Sequence, residues 1–145
     1  MADDLSTDFY RSTDADSRDN RDNRGRFRST LTEVERFWSN VDLSNPSACW
    51  PWIGQLTSDG MYGRFLAADG QGVRKYVRAH RYAWLLMRGP IPEGHTLDHL
   101  IGPGEPCAMT ACVRPSHLEP VSNSENLRRR HERDARRRRM NGATQ

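Results

Sequence analysis

The chain has 145 residues and a formal net charge of +3, a length that suggests one domain and leaves no room for a second independent core. Leu, Ile, Val and Phe number 24, of which 21 lie in residues 31–127, so a core region is flanked by two polar tails. No run approaches the roughly 18 apolar residues of a membrane span, and the opening MADDLSTDFY lacks both the basic and the apolar part of an export signal. Membrane and secreted proteins are therefore disfavoured, and a cytoplasmic location is expected. The charge is unevenly placed: residues 126–145 carry eight Arg against Glu132 and Asp134, a sum of +6, which leaves −3 for residues 1–125. A compact basic end on a mildly acidic body points to a polyanionic partner.

Residues 1–30 contain seven Asp and no apolar periodicity, which predicts a disordered polar tail. Arg24, Arg26 and Arg28 could form a basic arm, but the upstream Asp residues favour a solvated tail over a phosphate-binding one. From Thr32 the pattern changes. Val34, Phe37, Trp38 and Val41 fall on one helical face, and Thr32 with Glu35 has capping-box spacing. The runs MYGRFLA and VRKYVRA, parted by Asp69-Gly70-Gln71-Gly72, predict a β-hairpin. His80 to Met87 predicts a short helix stopped by Gly89-Pro90. Thr96–Leu100 and Leu118–Val121 predict two short strands bracketing a loop rich in Gly, Pro and Cys. Ser122 and Glu125 form a second capping box, so a helix should begin near Asn123 and continue into the Arg-rich end.

Three cysteines, an odd number without an export signal, argue against a disulfide framework and raise the question of metal. Cys107 and Cys112 are separated by four residues, and His117 follows Cys112 after four more, a zinc-ligand spacing. A structural site needs four ligands, and Cys49 is the remaining cysteine, so Cys49, Cys107, Cys112 and His117 predict a Cys3His zinc site. Buried free thiols are the alternative, but a small domain with a thin core gains most from a metal staple. Asp98, His99 and Asn126 could hold a hard divalent cation beside a general base, although each is ordinary taken alone.

Together these features resemble the HNH endonucleases of the His-Me finger (ββα-metal) superfamily. The run L-D-H-L, C-x4-C, H-L-E-P-V and N is especially similar to the zinc-bearing phage HNH proteins and the His–Cys box homing endonucleases. E-R-F-W-S-N-V-D, C-W-P-W-I-G, Y-G-R, A-H-R-Y-A-W and G-P-I-P-E-G match what such phage proteins show upstream, so the resemblance covers about residues 35–130. Two features depart from the pattern: a longer Leu100–Cys107 loop, and Arg114 where phage members usually have Asn.

The resemblance implies an α+β fold: a small zinc-stapled ββα-metal domain with a short hairpin, an N-terminal helix and a basic C-terminal helix. It places the nuclease domain in residues 31–127, between the 1–30 tail and an Arg-rich helical extension and tail at 128–145. It implies His99 as the general base, Asp98 and Asn126 as ligands of a catalytic Mg2+ or Mn2+, and the Cys3His set as structural zinc ligands. A hairpin Arg contacts the scissile phosphate in some members. Arg74 is the nearest match, with Arg64 and Arg81 as other candidates. Arg128, Arg129, Arg130 and Arg136, Arg137, Arg138 and Arg139 are expected to contact DNA phosphates without reading sequence. The activity implied is metal-dependent hydrolysis of double-stranded DNA in a phage-infected or lysogenic bacterial host, with a homodimer and phage packaging proteins as candidate partners. Two alternatives stand beside it: a non-catalytic zinc-stapled DNA-binding module, and an accessory of a phage packaging terminase.

Overall fold

Aromatic residues crowd the segments before and after the first strand, and in the computed structural model, which describes residues 31–69 and 71–143, they form the main core. The expected tail at 1–30, with Arg24, Arg26 and Arg28, lies outside the described residues. The elements in chain order are helix α1 (Glu33–Trp38), strands β1 (Arg64–Ala68) and β2 (Arg74–Arg78), helix α2 (Ala79–Arg88), strand β3 (His95–His99), a 3-10 turn at Pro115–His117, strand β4 (Leu118–Ser122) and helix α3 (Asn123–Gly142). This is the small α+β arrangement expected, with two antiparallel hairpins, β1–β2 and β3–β4.

α1 is shorter than its apolar periodicity suggested. The chain leaves the helix after Trp38, where Asn40 N–H donates to Phe37 O and Val41 N–H to Trp38 O in tighter turns. Val41 is still buried, because it bridges to Trp52 instead of extending the helix. Phe37, at 0% exposure, is the hub of the core. Its ring centroid lies 5.2 Å from both Trp52 and Phe65 and 4.7 Å from Tyr82, tilted and edge-on contacts rather than face-to-face sandwiches. Glu33 ties α1 to both neighbours: its carboxylate accepts from Ala68 N–H at 2.7 Å and from Tyr82 O–H at 3.0 Å.

Gly63 precedes β1 because no side chain fits there. A Cβ would sit 2.5 Å from Trp52 Cγ and 2.9 Å from Ala79 Cβ, and both of these neighbours are buried. Gly63→Ala is therefore expected to destabilise the fold by about 1–3 kcal/mol through overpacking. The check is a lower urea midpoint at unchanged slope; an unchanged midpoint would show that the Trp52 ring can shift.

The second layer is β3, β4 and α3. The register pairs Asp98 with Glu119 and His99 with Leu118, and adjacent strand residues face opposite ways, so Asp98 and His99 leave β3 in different directions. Ser122 caps α3, its hydroxyl accepting from Glu125 N–H at 3.2 Å. Glu125 does not complete the expected box, because its carboxylate turns instead to Arg128 and Arg129. α3 runs unbroken through residue 127 into the Arg-rich end and buries none of its residues. No helix among the described residues is long and apolar enough to cross a membrane.

Candidate metal centre and catalytic cleft

Backbone pairing assembles the cysteines. Val113 N–H donates to Trp50 O and Trp52 N–H to Ala111 O, both at 2.9 Å, and Pro51 bridges to Cys112, which lays the Cys49 segment alongside the Cys112 loop. Cys107 is drawn in by its N–H bond to Leu100 O at 3.0 Å. The turn Pro115–His117 brings in the fourth residue. The ligand atoms of Cys49, Cys107, Cys112 and His117 all lie within 4.8 Å of one another.

Their spacing fits a tetrahedral ion. With Zn–S near 2.3 Å and Zn–N near 2.05 Å, tetrahedral geometry puts ligand atoms about 3.8 Å apart for S–S and about 3.6 Å for S–N. Cys49 Sγ is 3.9 Å from Cys107 Sγ and 3.6 Å from His117 Nδ1, and Cys112 Sγ is 3.7 Å from that same nitrogen. Backbone N–H groups of Ala108 and Arg114 point at Cys49 Sγ and Cys112 Sγ, at 3.3 and 3.4 Å, and such donors stabilise thiolates. The mutual interaction of Cys107 and Cys112 lowers the Cys112 thiol, helped by the Arg114 and Trp50 backbone, and with burial pushes Cys107 up. The four residues could hold a metal such as zinc.

Next to this cluster stands His99, 4% exposed. Its Nε2 lies 2.9 Å from Cys112 O. A carbonyl only accepts, so Nε2 carries the proton and Nδ1 keeps the lone pair. Burial lowers the His99 pKa, partly offset by the Cys112 carbonyl, so the ring is neutral at pH 7. The metal loop and the imidazole are thus joined through one residue: Cys112 offers its sulfur to the cluster and its carbonyl to His99.

Asp98 opens on the other side into a cleft of about 330 Å³ that Asp98, His99, Glu119, Arg129, Arg133 and Arg136 help to line. Arg133 grips both carboxylate oxygens of Asp98, at 3.0 and 3.1 Å, and Arg129 Nη1 is 3.6 Å away. Asn126, Arg129 and Arg133 follow at i, i+3 and i+7 along α3 and so share a helix face, which puts Asn126 on the face that meets Asp98. Its side chain is half-buried and makes no hydrogen bond among the described residues.

The Arg-rich end is divided by its contacts. Arg128 pairs with Glu125 and Glu132, and Arg129 with Glu125 and Glu119; the two guanidiniums hold Glu125 down at about 2. Arg130 and Arg136 to Arg139 are exposed and in no ion pair among the described residues. Of the hairpin candidates, Arg74 stands beside the β1–β2 turn opposite Ala68, while Arg64 lies at the far end opposite Arg78. Arg81 is exposed in the first turn of α2. Arg114 occupies its unusual position by donating to Ala48 O at 2.7 Å and lying over the Trp50 ring, which braces the Cys49 segment.

Sequence reasoning missed two neighbours of the site. Arg133 could have been found from its seven-residue spacing to Asn126. His80 carries no comparable signal. It is 3% exposed, its ring meets His99 edge-on at 4.9 Å, and its Nδ1 is buried without a partner. Burial, then the nearby His99, lowers the His80 pKa to about 3.

That shift carries a pH prediction. Below about 6.5 the unfolded chain protonates His80 and the folded chain does not until about 3, so stability falls as pH falls through that window, by up to about 1.4 kcal/mol per pH unit. His99 adds a slope of the same sign. Urea midpoints between those limits should show a shallower acid loss for His80→Phe; an identical slope would contradict a neutral buried His80.

Residues 77–128, from the end of β2 to just past Asn126, match the HNH endonuclease family, the family that the motifs of this stretch resemble. Cys49 and β1 lie outside the match. The chain is also similar to the uncharacterized gene 5.3 protein of Enterobacteria phage T3, with 26% identity over 83 residues that cover 57% of this chain and 76% of that protein. No solved structure matches the chain.

Proposed function

We propose that the protein is a metal-dependent DNA endonuclease of HNH type, carrying a structural zinc on Cys49, Cys107, Cys112 and His117. The observation that supports this most is the neutral His99, its Nε2–H fixed on Cys112 O, adjacent in sequence to the buried Asp98 within an HNH-matched segment. Phosphodiester hydrolysis needs a water stripped of a proton and compensation for charge that builds on the phosphorane and the leaving oxygen. His99 Nδ1 is the lone pair that takes the proton. The Cys112 carbonyl fixes the ring orientation and supports the imidazolium that results.

The carboxylate of Asp98 and the carboxamide oxygen of Asn126 are hard donors suited to Mg2+ or Mn2+. To receive an ion, Asp98 must release at least one oxygen from Arg133. A bound divalent ion would act as a Lewis acid at the scissile phosphate. Arg130 and Arg136 to Arg139 have no carboxylate partners among the described residues and are the α3 residues placed to meet phosphate, and Arg128 and Arg129 join them by exchanging carboxylates for phosphates. Arg74, the nearest match to the hairpin Arg that contacts the scissile phosphate, stands at the turn end of the hairpin, away from the Arg78 end that adjoins His99 through Tyr62, so it is assigned to the substrate backbone beyond the scissile phosphate.

A specific observation favours a second reading: because Arg133 satisfies both oxygens of Asp98, the chain can also be a zinc-stapled DNA-binding module that cuts nothing. Incubation with supercoiled plasmid and Mg2+, Mn2+ or EDTA separates the two. The nuclease reading expects nicked or linear product with either ion and none with EDTA. Retarded but uncut plasmid under every ion would establish the second reading.

A further inference from the structure

The outer face of the β1–β2 hairpin carries charge that the cleft does not use. Alternation sends Phe65 and Ala67 into the core, so Arg64, Leu66 and Ala68 face outward, with Arg74, Tyr76 and Arg78 opposite them on β2. Arg64 is directly opposite Arg78, an unfavourable placement for like charges on one face of a sheet. No ion pair relieves it among the described residues: Arg64, Arg74 and Arg78 form none there, Asp59 acting on Arg78 only through a longer-range charge interaction, whereas Arg128, Arg129 and Arg133 on α3 are all tied to acids.

Aromatic rings hold two of these guanidiniums, those of Arg64 and Arg78, in place. Arg64 lies 4.3 Å over the Tyr76 ring, and Arg78 lies 4.6 Å over Tyr62. Arg64 Nε is buried with no hydrogen-bond partner, and Tyr76 is 55% exposed. The Tyr62 ring is in turn 6.0 Å from His99, so the Arg78 end of the face adjoins the base. At about 3.3 Å per residue, Arg74 stands about 13 Å further along β2, a distance of about four base steps along B-DNA.

We propose that this hairpin face is a second phosphate-binding surface, on which duplex DNA leaving the His99 end runs outward along Arg78, Arg64 and Arg74 with Tyr76 among them. Phosphates would relieve the Arg64–Arg78 repulsion, and guanidinium forks pre-oriented on rings suit phosphate oxygens. The inference rests on DNA being the substrate, and it assigns backbone contacts beyond the scissile phosphate to a face outside α3.

The test is binding of a labelled duplex oligonucleotide without added Mg2+ or Mn2+, across a salt series, by the zinc-loaded full chain and by R64Q/R74Q/R78Q. The triple variant should bind more weakly whatever the duplex sequence, and the dependence of log affinity on log salt should flatten by about 0.9 for each phosphate no longer neutralised. R78Q alone should lose affinity without a lower Tm, because it removes one member of a repelling pair. If the triple variant does not fold, R74Q/R78Q, altering two exposed residues, carries the same comparison, and R74K/R78K should restore most of the slope. A folded variant with wild-type affinity and slope overturns the surface while leaving the nuclease reading intact. A wild-type chain that binds no DNA overturns both.

Discussion

Cys112→Ser should yield a chain that binds no zinc and does not hold its fold at ambient temperature, whereas the wild type should carry about one zinc per chain. Three losses coincide at this residue. The sulfur is one of four ligand atoms, and in small zinc domains apparent metal binding of about 10–16 kcal/mol is itself folding free energy, as large as the roughly 5–15 kcal/mol by which whole domains are stable. Cys112 is also 0% exposed, so a serine hydroxyl there would be buried among sulfurs without its partners. Its bridge to Pro51 and its carbonyl bond to His99 would go with the loop. Near-UV circular dichroism and elemental analysis should both register the collapse, and prolonged treatment of the wild type with a strong chelator should reproduce it. A stable, zinc-free Cys112→Ser chain would contradict the structural role of the cluster.

Much of this was legible in the sequence because the signals are local. Turn residues flank both hairpins, Ser122 marks the start of α3, and the four-residue spacings of Cys107, Cys112 and His117 announce a ligand set. Cys49 could be joined to them because a four-ligand site had one cysteine left to use. Strand ends differed from expectation by a few residues at most. β1 begins at Arg64 because Met61 to Gly63 are taken up by the turn that seats Gly63 against Trp52.

What escaped the sequence depends on contacts between distant segments. Nothing local predicts that Val41 abandons a helical face to pair with Trp52, or that His80 packs against His99 from a different element. The Arg-rich end read as one continuous phosphate-binding run, since consecutive Arg with few acids nearby imply a polyanion. Only the placement of Asp98 and Glu119 beside α3 shows that Arg129 and Arg133 already have carboxylates. Likewise the sequence singled out Arg74 by position in the hairpin, and the register is what puts Arg64 and Arg78 at the end nearer His99.

His99→Ala should lose cleavage while retaining zinc, fold and DNA affinity. The substitution removes an imidazole whose Nε2 bond to Cys112 O leaves the four ligand atoms of the cluster unaltered, and neither Arg133 nor Asp98 touches the ring through a hydrogen bond. The truncated side chain leaves space beside His80 and Tyr62, which lowers stability without removing any of the elements. What disappears is proton abstraction from the attacking water, a step typically worth about 10²–10⁴ in rate. His99→Gln, which can still donate to the Cys112 carbonyl but cannot act as the base, should be as inactive while recovering stability, and this separates chemistry from packing.

The most direct test of His99 as the base is the single-turnover rate of plasmid nicking in Mg2+, at saturating protein, for the wild type and for His99→Ala, with equal zinc content and duplex affinity. The rate should fall by about 10²–10⁴; a His99→Ala rate within about threefold of wild type would show that His99 is not the base.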